Sequence, residues 1–210
     1  MTSPSPTVLV ETSAWIAVDK PAGILVERHS EFASVEAWVA NYLTTRNRKP
    51  FVGIVHRLDR PVGGVLLLAK KKSVLKLLNE QFARKRVQKF YRATVGNMPE
   101  PAEGKLLHFL KKDNRLRRAV VTTAAGGGVR SELRYRLLEA TDRGYELEIL
   151  PLSGRYHQIR AQLSAIGCPI VGDEKYGGPA WSQPDAIALR AQRIIFTDPV
   201  SGKRVSVSES

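Results

Sequence analysis

The 210-residue chain has one cysteine, two methionines and three tryptophans, and the scarcities close off whole classes of protein. Cys168 alone cannot form an internal disulfide, so the staple framework of small secreted domains is excluded. One cysteine and four dispersed histidines give no cluster at zinc-ligand spacing, so we expect no bound metal and a reducing compartment. No apolar run approaches the roughly 20 residues that cross a bilayer. The opening MTSPSPTVLV also lacks a basic segment followed by a hydrophobic one, and the expectation is a cytoplasmic protein with no membrane partner. GxxxxGK[ST], GxGxxG, a nucleophile-elbow Ser or Cys and a pair of carboxylates at informative spacing are missing as well. NTP-driven chemistry, dinucleotide redox chemistry and paired-carboxylate hydrolysis lose their sequence supports, and no cofactor is expected.

Acidic residues are the remaining shortage. Twenty Asp and Glu face thirty-three Lys and Arg, leaving +13, which points to a polyanionic partner. From Arg84 to Arg118 there are eleven basic and three acidic residues, a surplus of eight, so over half the imbalance lies in one sixth of the chain. Such a tract suits phosphate docking with counterion release, and a solvated face is the plainer alternative. The candidate backbone contacts are Arg84, Lys85, Arg86, Lys89, Lys111, Lys112, Arg115, Arg117 and Arg118.

What is present reads as one α+β domain over 1–210, a mixed and mainly antiparallel sheet with flanking helices. VLVETSAWIAVDK alternates and stops at a Pro-Ala-Gly turn, as a strand pair does. SVEAWVANYL puts Val35, Trp38, Val39 and Tyr42 at helical spacing behind Ser34 as N-cap, with Trp38 expected in the core. VGGVLLLAK has the unbroken apolarity of a buried strand. SVLKLLNEQFAR predicts a helix capped by Ser73 with Leu75, Leu78 and Phe82 inward. Five short alternating segments follow between 87 and 152, with connections too short for helical crossovers, so antiparallel neighbours are expected. HQIRAQLSAIG predicts a helix stopped by Gly167, and the tail predicts two strands joined near Ser201-Gly202.

The residue with most chemical promise is Asp59, set between Arg57 and Arg60 in HRLDR just ahead of the apolar strand. Neighbouring cations favour the ionised form, which can serve as nucleophile, base or stabiliser of positive charge. The same spacing also fits an ordinary surface ion pair.

HRLDRPVGGVLLLAK, KFYRATV, SGRYHQIRAQL and IVGDEKYG resemble, in order and separation, the motifs of the RluA-type pseudouridine synthases. WIAVDKPAGILV and IIFTDPVSGK resemble the opening and closing segments of that family. The resemblance implies the pseudouridine synthase fold, and an isomerase that detaches uracil from ribose within RNA, rotates it and rejoins it through carbon. It implies Asp59 as the essential carboxylate, Tyr91 as the ring packed on uracil, Arg160 as the guanidinium paired with Asp59, and Arg57 as the residue that helps hold the nucleotide out of the helix. Ribosomal or transfer RNA is the expected partner, the enzyme is expected to be monomeric, and a separate N-terminal RNA-binding module is not expected. A non-catalytic RNA-binding or ribosome-assembly factor on the same scaffold is the alternative. His56 and His157 are read as structural or RNA-contacting.

Three departures stand out. HRLDRPVGG replaces the common HRLDRETSG, and we read Pro61, Val62 and Gly64 as the changes. Tyr156 replaces a threonine in SGRYHQIR, and Arg190 replaces a histidine in LRA.

Overall fold

The computed structural model describes residues 4–44 and 50–209. Along the chain run β1 (Thr7–Glu11), β2 (Trp15–Lys20), α1 (Val35–Leu43), β3 (Gly53–Ile54), β4 (Gly63–Ala69) and α2 (Lys72–Ala83). Then come β5 (Gln88–Val95), β6 (Glu103–Asp113), β7 (Arg118–Thr122), β8 (Val129–Thr141) and β9 (Gly144–Pro151). α3 (Gln158–Ala165), a 3-10 turn (Glu174–Tyr176), β10 (Leu189–Thr197) and β11 (Arg204–Ser208) complete the order. These elements gather into two compact units, Met1–Lys89 with Arg190–Ser210, and Phe90–Leu189.

The first unit is built around β4, whose seven residues are all buried. It pairs antiparallel with β2, from Trp15 opposite Ala69 to Lys20 opposite Gly64. It pairs parallel with β10, at Arg190 with Gly63 and Ala191 with Gly64. The pairings β1–β2, β3–β4, β5–β9, β6–β7, β6–β8, β8–β9 and β10–β11 are antiparallel, as the short connections predict. Val65, Leu67 and Ala69 form a cluster with Trp15, Phe196 and the α2 residues Val74 and Leu78. Leu66 and Leu68, opposite Val18 and Ile16, are buried as completely. A strand covered on both faces needs no polar alternation, which accounts for the unbroken VLLLA run.

Two helix expectations need correction. α2 starts before Ser73: Lys71 occupies the N-cap position in extended backbone, with no side-chain cap bond. The Lys70 N–H is bound to the Ala14 carbonyl, so the point at which the chain leaves the sheet, rather than the better capping residue, fixes the helix start. α1 is capped as expected, Ser34 Oγ accepting from the Ala37 N–H at 3.3 Å. Its buried residues, however, are Val35 and Val39, while Trp38 stacks on half-exposed Tyr42 at 5.3 Å instead of entering the core.

The glycines after Asp59 also need correction. Counting from HRLD, the serine of the common pattern falls at Gly63, and Gly64 matches the pattern's own glycine. Gly64 has φ +112, and a Cβ there would lie 2.3 Å from the Ala191 carbonyl oxygen. Only glycine allows β10 to approach so closely.

In the second unit the strands lie in the order β5-β9-β8-β6-β7, with registers such as Tyr91 opposite Ile149 and Leu133 opposite Leu106. Leu133, Leu147 and Ile149 are fully buried. α3 has every residue from Gln158 to Leu163 buried, and Gln162 is accommodated by donating to the carbonyls of Leu106 and Ser131. Gly167, at φ +74, ends this stretch as expected.

Candidate active site

Asp59 sits in a tight turn between β3 and β4, closed by the Val62 N–H donating to the Asp59 carbonyl at 3.0 Å. Three anchors hold the turn. Leu58 is buried beside it. His56 Nε2 accepts the Leu67 N–H of β4 at 3.1 Å, which places the ring proton on Nδ1. Burial, with help from the Lys89 charge, drives this imidazole down to about 3, so it is a neutral structural acceptor.

The third anchor is Lys20 at the end of β2, whose side chain has no exposed surface. Its ammonium donates to the carbonyls of Val62 (2.8 Å), Pro21 (3.0 Å) and Arg60 (3.2 Å). The Gly23 N–H donates to the Arg60 carbonyl and Arg60 Nε donates back to the Gly23 carbonyl, both at 2.8 Å. The DKPAG loop and the HRLDR turn are thereby stitched together immediately after Asp59. Burial pulls Lys20 down to about 8, the Asp59 carboxylate opposes that, and the Arg190 and Arg60 charges add to it. Arg57, expected to help keep Asp59 charged, has its ion pair with Glu27 at 3.3 Å, and both side chains are well exposed. Lys20, 39 positions earlier in the sequence, is a buried cation coupled to Asp59. Arg190 forms ion pairs with Asp19 (2.9 Å) and Glu209 (2.7 Å), which is what the arginine in LRA provides.

Tyr91 and Arg160 belong to the second unit. Tyr91 is 7% exposed on β5, in phase with buried Ala93 and Val95, as the alternation predicts. Arg160 is only 5% exposed, so it is no surface-helix arginine. Its Nε donates to Asp173 Oδ2 at 2.7 Å and its Nη2 to Oδ1 at 2.8 Å, a two-pronged pair that fixes the guanidinium plane. The guanidinium also lies 5.1 Å from the Tyr176 ring centre and brings Nη1 within 3.2 Å of His157 Nε2. His157 Nδ1 is 3.0 Å from the Tyr176 hydroxyl, which takes the Ala119 N–H at 2.7 Å. Asp173 is turned inward by Gly172 at φ +82, and its carbonyl accepts the N–H groups of Tyr176 and Gly178.

A family model described as RNA pseudouridylate synthase matches residues 14–165, a span that takes in Lys20, the HRLD turn, Tyr91 and Arg160. The chain belongs to the RNA pseudouridylate synthase family. The ribosomal large subunit pseudouridine synthase C of Vibrio cholerae is 33% identical over 208 residues, covering 95% of this chain and 64% of that relative. The protein of the same name from Pasteurella multocida is 32% identical over 210 residues, covering 96% and 63%. The chain thus spans a little under two thirds of the length of these relatives. Among solved structures, human RNA pseudouridylate synthase domain containing 1 is similar with a TM-score of 0.81 at 21% identity, covering 100% of this chain and 86% of that one. Domain containing 4 gives 0.79 at 21% identity, with 97% and 88% covered. These likenesses show the pseudouridine synthase fold, an α+β arrangement with a mostly antiparallel sheet.

Within that family fold, the basic tract divides between the units. Arg84, Lys85 and Arg86 are exposed just after α2. Lys89 is partly enclosed with its ammonium 5.8 Å from the Phe82 ring centre, and burial lowers its pKa. Lys111, Lys112, Arg115 and Arg117 are exposed on the β6–β7 hairpin of the second unit. Arg118 is half-buried and donates to the Lys175 carbonyl at 3.3 Å, which makes it a packing residue as much as a surface charge. Sequence reasoning missed the roles of Lys20, Asp173 and Tyr176, although all three lie inside quoted family segments. The available signal was that DKPAG and GDEKYG place charges beside glycine turns that fold them inward.

No group of three or more His, Cys, Asp or Glu among the described residues is arranged to hold a metal ion. No described helix is long and apolar enough to cross a membrane.

Proposed function

We propose that residues 1–210 act as one catalytic domain that isomerises uridine to pseudouridine in RNA, without a cofactor, as a cytoplasmic monomer. Ribosomal RNA is the favoured substrate over transfer RNA, in keeping with the names of the relatives. In this reading Asp59, Tyr91 and Arg160 act on the same uridine. Asp59 supplies a carboxylate to the glycosidic carbon or to the base ring as the bond to nitrogen breaks. Tyr91 packs on the displaced uracil, Arg160 supports the charged carboxylate, and Arg57 at the rim helps keep the nucleotide extruded. The exposed cations after α2 and on the β6–β7 hairpin take the phosphates.

The observation that carries the reading is the stitching of the HRLD turn by Lys20: a buried ammonium is invested in holding one turn, and that turn carries Asp59. The uracil carbon that forms the new bond gives up its hydrogen to solvent, so RNA tritiated at that carbon should release label when treated with the protein. Absence of release from both ribosomal and transfer RNA would defeat the proposal. Free uracil as product would mark a glycosylase instead, and full rescue of a deletion strain by Asp59→Ala would favour a binding-only factor. Comparing pseudouridine maps from cells with and without the gene identifies the modified position.

A further inference from the structure

Tyr156 stands where the common family pattern has threonine, in the loop before α3, and the residue is 41% exposed. An exposed tyrosine adds little to a core, yet this one is held firmly. Its inner face lies on the His157 ring with centroids 3.8 Å apart and planes 20° from parallel. Its hydroxyl donates to the Arg117 carbonyl at 3.2 Å. His157 is itself fixed by the Tyr176 hydroxyl and by Arg160, and adopts φ +50. The Lys112 ammonium lies over the ring, 5.0 Å from its centre, on the end of a long exposed side chain.

The magnitudes favour displacing that lysine. An exposed cation over an aromatic ring contributes about 0.5–1 kcal/mol. A nucleic-acid base stacked on an aromatic side chain contributes about 1–3 kcal/mol. A displaced Lys112 would remain beside the incoming strand, where it can pair with a phosphate, as can exposed Lys111, Arg115 and Arg117 nearby on the hairpin. A rigid ring with a removable cationic cover, set among phosphate-seeking charges, has the chemistry of a nucleotide-stacking platform.

We propose that Tyr156 is a stacking site for an unpaired RNA base other than the target uridine, entered by moving Lys112 aside, and that it biases which RNA segment is used. The inference rests on the proposed RNA-modifying function. The test measures fluorescence anisotropy of a labelled single-stranded oligoribonucleotide, together with tritium release from ribosomal RNA, for wild type, Tyr156→Ala, Tyr156→Phe, Tyr156→Trp and Lys112→Ala. Tyr156→Ala should weaken binding about 5- to 150-fold with an unchanged salt slope. Its release should fall at limiting RNA and recover at saturating RNA. Tyr156→Phe and Tyr156→Trp should restore binding, and Lys112→Ala should lower the salt slope by about one.

Unchanged binding by Tyr156→Ala overturns the proposal. So does a loss in Tyr156→Phe equal to that in Tyr156→Ala, since the hydroxyl latch to Arg117 would then be what matters. If wild type releases tritium while Tyr156→Ala keeps its affinity, the stacking site fails and the enzymatic reading stands. If binding depends on Tyr156 while wild type releases nothing, the enzymatic reading fails and the stacking site stands.

Discussion

The two units bury charge in different ways. In the first, Lys20 donates to three backbone carbonyls and interacts with Asp59 through space, so the ammonium positions the turn that carries this carboxylate. In the second, Arg160 and Asp173 neutralise each other directly through two short hydrogen bonds. The first arrangement fixes the turn that carries Asp59, and the second holds a guanidinium in one orientation. In the proposed reaction Asp59 supplies the carboxylate, while the Arg160 guanidinium is oriented by a separate acid, Asp173.

The contrast can be broken most severely in the second unit. Asp173→Asn strands a buried guanidinium and should destabilise the fold by about 3–5 kcal/mol, read as a shift in the urea midpoint. Arg160→Met combined with Asp173→Leu should recover much of that loss, because an apolar pair of similar volume has no charge to desolvate, yet tritium release should remain absent. Full activity in the double variant would separate Arg160 from the chemistry.

Lys20→Met should cost less, about 2 kcal/mol, since it removes an expensive buried charge while leaving the Pro21 and Val62 carbonyls without their donor. Its pH signature is more specific. The folded pKa of Lys20, about 8, lies below its ordinary 10.5, so between these values the unfolded chain binds more protons and stability rises with pH. Burying the charge costs stability in full below about 8, and the cost is relieved as pH climbs. The stability difference between wild type and Lys20→Met should therefore move in favour of wild type from pH 8 to 10.5. A difference independent of pH would contradict a charged Lys20 in the turn. Arg57→Ala gives the smallest effect, within about 0.5 kcal/mol, because its partner Glu27 and the arginine itself are well exposed. Any loss of activity in that variant should appear as a raised KM.

The fold was largely legible because its periodicities are strong. VLLLA announces a strand buried on both faces, Tyr91 falls in phase with Ala93 and Val95, and Gly167 marks a helix end. Trp38 was misread because Val35, Trp38, Val39 and Tyr42 make an apolar stripe wider than the surface that receives it, and only the Val35–Val39 edge is covered. Ser73 was misread because the exit from β4 outranks local capping. Motif spacing singled out Asp59 as the candidate for the chemistry, but it left the support of its turn hidden. Lys20 reaches carbonyls 40 and 42 positions away, and Arg160 finds Asp173 thirteen residues on through a glycine turn, contacts with no periodic trace in the sequence. The Arg57–Asp59–Arg60 spacing suggested cations from the flanks; the fold pairs Arg57 with Glu27 and adds a buried lysine coupled to Asp59.

Single-turnover tritium release by Asp59→Asn, at RNA concentrations that saturate binding, tests the central claim most directly. The amide matches the carboxylate in size, so the turn held by Lys20 and the affinity for RNA should persist while release slows on the order of 10⁴-fold. Release within tenfold (about 1.4 kcal/mol) of wild type would show that the charge at position 59 does not carry the reaction.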